Sequence, residues 1–161
     1  DSTSIETMVA KMVAEHINLE KSVNFKKLTL ACAKTIALDV EAKAREMGIN
    51  VVVSIVDEGT NLMLLEAMDS SYLASVNISW NKAYTAVSLK MPTETVGELS
   101  KEGGALEGLV PNGENRIMFL AGGCPLKIGE HIMGGIGVSG GTAEEDKLLA
   151  HFGAELFKKY M

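Results

Sequence analysis

Gly134-Gly135-Ile136-Gly137-Val138-Ser139-Gly140-Gly141-Thr142 is the stretch whose reading decides the fold. His131 to Val138 reads as a strand, and Thr142 with Glu145 spells the T-x-x-E capping box of a final helix reaching Tyr160. The chain therefore crosses from sheet to helix here. Two chemical patterns overlap in the same residues. Gly135 to Gly140 is a literal G-x-G-x-x-G, but too little chain follows to complete a βαβ unit with its acidic ribose ligand. Gly137 to Gly141 is also a G-x-S-x-G elbow, with Asp146 and His151 following in hydrolase order. Those two lie on different faces of one helix, whereas a triad gathers its members from separated loops. What remains is a packing turn with a capped helix, whose amides at Ser139, Gly140, Gly141 and Thr142 form a candidate anion site.

Upstream of the crossing, Arg116 to Leu120 and Pro125 to Ile128 read as further short strands, preceded by a Gly-rich loop from Lys101 to Asn115. Val51 to Val56, a turn from Asp57 to Asn61, and Leu62 to Met68 spell a β-hairpin, with Asp57 and Asp69 as turn residues. Ser70 or Ser71 can cap a helix that places Leu73, Val76, Trp80, Ala83, Tyr84 and Val87 on one side, closed by Pro92. Lys82 falls opposite that stripe and is expected in solvent. A short helical turn is expected from Thr93 to Ser100.

Nearer the N-terminus, Ala33, Ile36, Ala37, Val40, Ala44 and Met47 share one face of a helix that starts near Thr29 and stops at Gly48. Before it, Ile5, Met8, Val9, Met12, Val13, His16 and Ile17 repeat at helical spacing behind a Thr3/Glu6 capping box. A polar stretch, Asn18 to Asn24, separates the two. Hairpins outnumber crossovers, so the order of elements predicts an α/β (α+β) domain with a mainly antiparallel sheet covered by helices. One domain is expected over 1–161, with an N-terminal helix and linker at 1–27 and a core at 28–161.

Bulk composition narrows the function. A net charge of -6 and 5% aromatic residues argue against nucleic acid, which needs clustered cations or stacking platforms. No apolar run reaches the roughly 18 residues of a membrane span. Apolar residues make up 47% and charged ones only 22%, with mean hydropathy +0.15, so part of the surface is expected to be covered in a homo-oligomer. Cys32 and Cys124 form no CxxC, which points to a reducing, cytoplasmic setting rather than a disulfide or zinc framework. The chain begins at Asp1, as a processed or excised product does, and a signal segment already removed would leave no mark.

Of three histidines, His16 stands in the apolar stripe of the first helix, where an imidazole either packs with a satisfied hydrogen bond or ligates a metal such as heme iron. Met8 and Met12 beside it either fill a core or line a soft pocket for a macrocycle. His131 and His151 lack carboxylate or Cys partners at ligand spacing and read as surface residues.

Val53-Ser54-Ile55-Val56-Asp57 with Gly59, Met68-Asp69, Asn81-Lys82-Ala83-Tyr84-Thr85-Ala86, Gly122-Gly123-Cys124-Pro125-Leu126, and Gly135 to Thr142 with Asp146 together resemble the GlcG/HbpS family, in particular the C-terminal heme-binding domain of PduO-type proteins. The resemblance covers residues 28–157. Thr60 stands where the family pattern usually has Gly, and Glu145 where Gln is common. The resemblance implies a profilin-like fold with a five-stranded antiparallel sheet, homo-oligomers, and binding of heme, with corrinoid-linked and heme-degrading roles among members. It implies a setting beside a cobalamin-related enzyme of diol utilisation, in the cytoplasm or a bacterial microcompartment. PduO adenosyltransferase activity belongs to a separate domain, so this chain is not expected to be an adenosyltransferase. His16 lies outside the matched region, and no acid, base or nucleophile set is apparent. The expected function is a heme- or other tetrapyrrole-binding accessory protein, with heme degradation or a ligand-free oligomeric module as the alternatives.

Overall fold

A computed structural model describes residues 2–22, 27–111 and 114–161, with the side chains of residues 2, 3 and 16–22 outside that description. The elements run α1 (Ser2–Ser22), α2 (Leu30–Glu46), β1 (Val52–Asp57), β2 (Leu62–Ala67), α3 (Ala74–Ser88), α4 (Thr93–Leu99), β3 (Gly123–Ile128), β4 (His131–Ser139) and α5 (Ala143–Tyr160). The strands form one antiparallel sheet in the order β2-β1-β4-β3. Helices α2 and α5 cover one face and α3 the other.

Strand alternation explains why the two faces differ. Val53 and Ile55 of β1, Ile136 and Val138 of β4, and Cys124 and Leu126 of β3 point toward α2 and α5, where they join Ile36, Val40, Leu149 and Phe157 in the main core. On β4 the intervening positions are small, namely Gly135, Gly137 and Ser139. A Cβ on Gly137 would fall 1.9 Å from the Ser79 carbonyl, and one on Gly135 would fall 2.7 Å from Val87 and 2.8 Å from the Ala83 carbonyl. Glycine in β4 thus lets α3 lie directly on the sheet. Two buried hydroxyl pairs, Ser54 with Ser79 at 2.8 Å and Ser139 with Ser75 at 3.0 Å, fasten the helix to β1 and β4.

The sheet has four strands, not five. Arg116 sits at φ +60°, outside the β region. The segment after it is tied to α3 instead: Thr85 Oγ1 accepts from the Met118 amide at 3.0 Å and shares its single proton between the Asn81 carbonyl of its own helix at 2.7 Å and the Arg116 carbonyl at 3.2 Å. A segment so anchored has no strand to pair with. Helix α3 differs too. Its first turn has Leu73 at the N-cap with no side-chain cap, Ser70 is at φ +65°, and Leu73 is 93% exposed. The buried face is Ser75, Ser79, Lys82, Ala83, Ala86 and Val87, while Trp80 and Tyr84 are only half-buried. Helix α1 continues to Ser22, through much of the polar stretch expected to separate the helices. Thr3 of its proposed capping box lies outside the described side chains.

Candidate functional site

The glycine crossing closes over a charged pair. Lys82 enters from α3, because the glycines of β4 hold that helix against the sheet, and Asp146 enters from the first turn of α5. Lys82 Nζ donates to Asp146 Oδ2 at 3.0 Å and to the Val138 carbonyl at 2.9 Å. The lysine is 2% exposed and the aspartate 4%, so the expectation of a solvated Lys82 is overturned. Burial pushes the lysine down from its ordinary pKa and pushes the aspartate up. The opposite charges, with the Gly140 and Gly141 amides at Asp146, work against that desolvation.

Those contacts also decide what the crossing does chemically. The Gly141 amide donates to Asp146 Oδ1 at 2.8 Å and the Thr142 amide to Glu145 Oε1 at 2.9 Å. The acceptors at the expected anion site of Ser139, Gly140, Gly141 and Thr142 therefore include the chain's own carboxylates. Thr142 and Glu145 complete the capping box read from the sequence. Ser139 is buried against Ser75, Asp146 is committed to Lys82, and His151 bonds elsewhere, so no Ser-Asp-His triad assembles.

His151 instead belongs to a row that sequence spacing did not reveal. Its Nε2 lies 2.5 Å from Glu94 Oε1 on α4, and its Nδ1 lies 3.8 Å from Cys124 Sγ on β3. An imidazole protonated on Nε2 donates to Glu94 and leaves Nδ1 to accept from the thiol. Burial, and then the nearby Glu94 charge, push the Cys124 thiol up to about 12, so it stays protonated and is no activated nucleophile. The ring nitrogens face opposite ways, and the described residues contain no group of three or more His, Cys, Asp or Glu able to hold a metal ion. Glu94 also lines an open groove of about 450 Å³ with Gly97, Lys101, Phe119, Leu120 and Ala121.

Helix α1 is the opposite of this enclosed arrangement. Ile5, Met8, Val9, Met12 and Val13 are each more than half exposed, and among the described residues no other element packs substantially against the helix. Met8 and Met12 are thus on an open surface rather than in a core. The helix carries His16 one turn beyond Met12, but the His16 side chain lies outside the described residues.

A four-stranded antiparallel sheet between helical layers, with its buried charge pair sealed inside and no triad at the crossing, defines an α+β sandwich. The chain belongs to the family described as "Haem degrading protein HbpS-like", whose model matches residues 28–155. It is 40% identical over 141 residues to an uncharacterized 15.0 kDa protein from the dhaT-dhaS intergenic region of Citrobacter freundii, covering 88% of this chain and 99% of that one. It is 32% identical over 108 residues to the corrinoid adenosyltransferase PduO of Salmonella typhimurium, covering 67% of this chain but only 32% of that protein. Among solved structures it is similar to PduOC in complex with heme, with TM-score 0.75, 28% identity, and coverage of 81% of this chain and 94% of that one.

Proposed function

We propose that this chain is a tetrapyrrole-binding accessory protein that takes heme, with a corrinoid as the lesser alternative, and works as a homo-oligomer. The observation that carries the reading is its likeness to PduOC, which was solved with heme. The open stripe of α1 suits such a ligand. A flat macrocycle needs apolar area and soft contacts, and Met8 and Met12 offer both on a surface the domain leaves uncovered. His16 would be the axial ligand and the two methionines would touch the ring. Bound heme would supply a redox-active iron. His151 is held by Glu94, and the Cys124 thiol is buried and protonated, so neither competes for that role. The setting we propose is cytoplasmic, with a bacterial microcompartment and a cobalamin-related enzyme beside it as the narrower alternative.

Titrating the protein with hemin while recording visible absorption tests the reading. A saturating Soret shift is expected, altered in position and weakened in affinity by His16→Ala. Absence of any shift overturns heme binding, and an unchanged shift in His16→Ala removes that residue as ligand. The family description favours a second reading, oxidative degradation of the bound ring. Loss of the heme spectrum with peroxide or a reductant, faster than for free hemin, would select it.

A further inference from the structure

Arg116 is held in a strained backbone conformation, and its side chain is fixed from three sides. Its guanidinium carbon lies 4.3 Å from the centroid of the Tyr84 ring and 4.9 Å from that of Trp80. Its Nε donates to Asn81 Oδ1 at 3.1 Å. The φ of +60° at Arg116 is unfavourable for a residue with a Cβ. It persists because Thr85 grips the flanking backbone and Asn115 Oδ1 accepts from the Ile117 amide at 3.0 Å. Strain of this kind, held in place by surrounding bonds, points to a preorganised group.

The cluster also has donors left over. Among the described residues, the buried side-chain polar atoms without a hydrogen-bond partner are Trp80 Nε1, Arg116 Nη2 and Glu94 Oε2. Two of the three are donors, and both belong to this one cluster. An unpaired buried donor is costly, and more so when it is charged. A ligand that brings acceptor oxygens to both atoms recovers that cost. Arg116 Nε is already engaged by Asn81, so the guanidinium offers a carboxylate its charge and the unpartnered Nη2, and the indole N–H adds a second, differently placed donor.

We infer that Arg116 and Trp80, framed by Tyr84 and Asn81, form a binding site for the carboxylate of a small organic acid. This site is separate from the α1 stripe and does not depend on heme. Both donors are shielded from solvent, so a carboxylate enters with local opening, and binding is slower than diffusion allows.

Trp80 is the chain's only tryptophan, so its emission reports on this site. The experiment titrates the heme-free protein with acetate and with succinate, against sodium chloride of matched ionic strength. A saturable change in Trp80 emission is expected with the carboxylates and not with chloride. Arg116→Lys keeps the charge but loses the Nη2 donor and the guanidinium plane held between Tyr84 and Trp80, and should weaken binding at least about tenfold. Arg116→Gln should abolish the saturable response while retaining the native far-ultraviolet dichroism. If Arg116→Gln fails to fold, the Arg116→Lys shift decides the matter. A linear, collisional decline, an equal response to chloride, or equal affinity in Arg116→Lys overturns the proposal. So does emission that responds to protein dilution and not to acetate, which would assign the acceptor to a second copy of the chain.

Discussion

Helices α1 and α2 carry the same kind of sequence signal and meet opposite fates. Each has an apolar stripe at helical spacing. In α2 the stripe is mostly alanine, and Ala33, Ile36, Ala37, Val40 and Ala44 are all completely buried. Gly153 on α5 makes room for it: a Cβ there would fall 2.6 Å from Ile136 Cδ1 and 3.2 Å from Val40 Cγ2. In α1 the stripe is built of Ile, Met and Val, yet every described member stays exposed. Periodicity says that a helix has a face to bury, and small residues opposite it decide whether the domain can receive that face. A stripe whose described members meet no receiving surface among the described residues is open to a ligand or a partner.

The contrast can be broken from either side. The strongest effect is expected at the enclosed crossing. Asp146→Asn leaves Lys82 buried without its counter-charge and should cost about 3–5 kcal/mol, whereas the double change Lys82→Met, Asp146→Leu should recover much of that. Denaturant unfolding measures both, and equal loss in the single and double variants would remove the ion pair as the cause. Next, Ile36→Ala in the stripe that α2 buries should cost about 2–5 kcal/mol by the same measurement. Thr142→Ala, which removes half of the capping box on α5, should cost about 1 kcal/mol. At the far end, Met12→Ala on α1 should change the unfolding free energy of the heme-free protein by less than about 0.5 kcal/mol, yet it should weaken hemin binding. A large stability loss there would mean that α1 is packed after all.

A pH effect tests the α2 side more gently. Glu41 lies almost wholly buried on α2, and burial, followed by a hydrogen bond and charge repulsion from Glu66, raises it from 4.5 to about 7 against the pull of Arg45. The folded state thus holds this proton more tightly than the unfolded chain does. Its stabilising contribution is complete below about pH 4.5 and is lost as pH rises through about 7. The thermal midpoint should fall across that window in the native protein, and Glu41→Gln should flatten the slope.

Much of the architecture could be read from the residues. The hairpin of β1 and β2, α2 with its start near Thr29, and α5 with its capping box all follow from local rules, because caps, turns and alternation act within a few residues. The site was less accessible. Glu94, His151 and Cys124 come from three elements, as do Lys82 and Asp146 with the Val138 carbonyl, and no spacing announces such meetings. Lys82 was misplaced for a specific reason. The larger residues of α3 marked Trp80 and Tyr84 as the inner face, whereas the glycines and serines of the sheet accept only the small face beside it.

By itself the sequence determined the kinds of elements, their order, the antiparallel pairing and the family mark at the crossing, since each rests on short-range preferences of the backbone. Only the tertiary structure decided which face of α3 is buried, that Arg116 leaves the β region instead of adding a fifth strand, and that the Gly134 to Thr142 crossing is occupied by its own carboxylates. Those outcomes depend on close approach between distant segments. Steric fit and desolvation act there through contacts that no local pattern encodes.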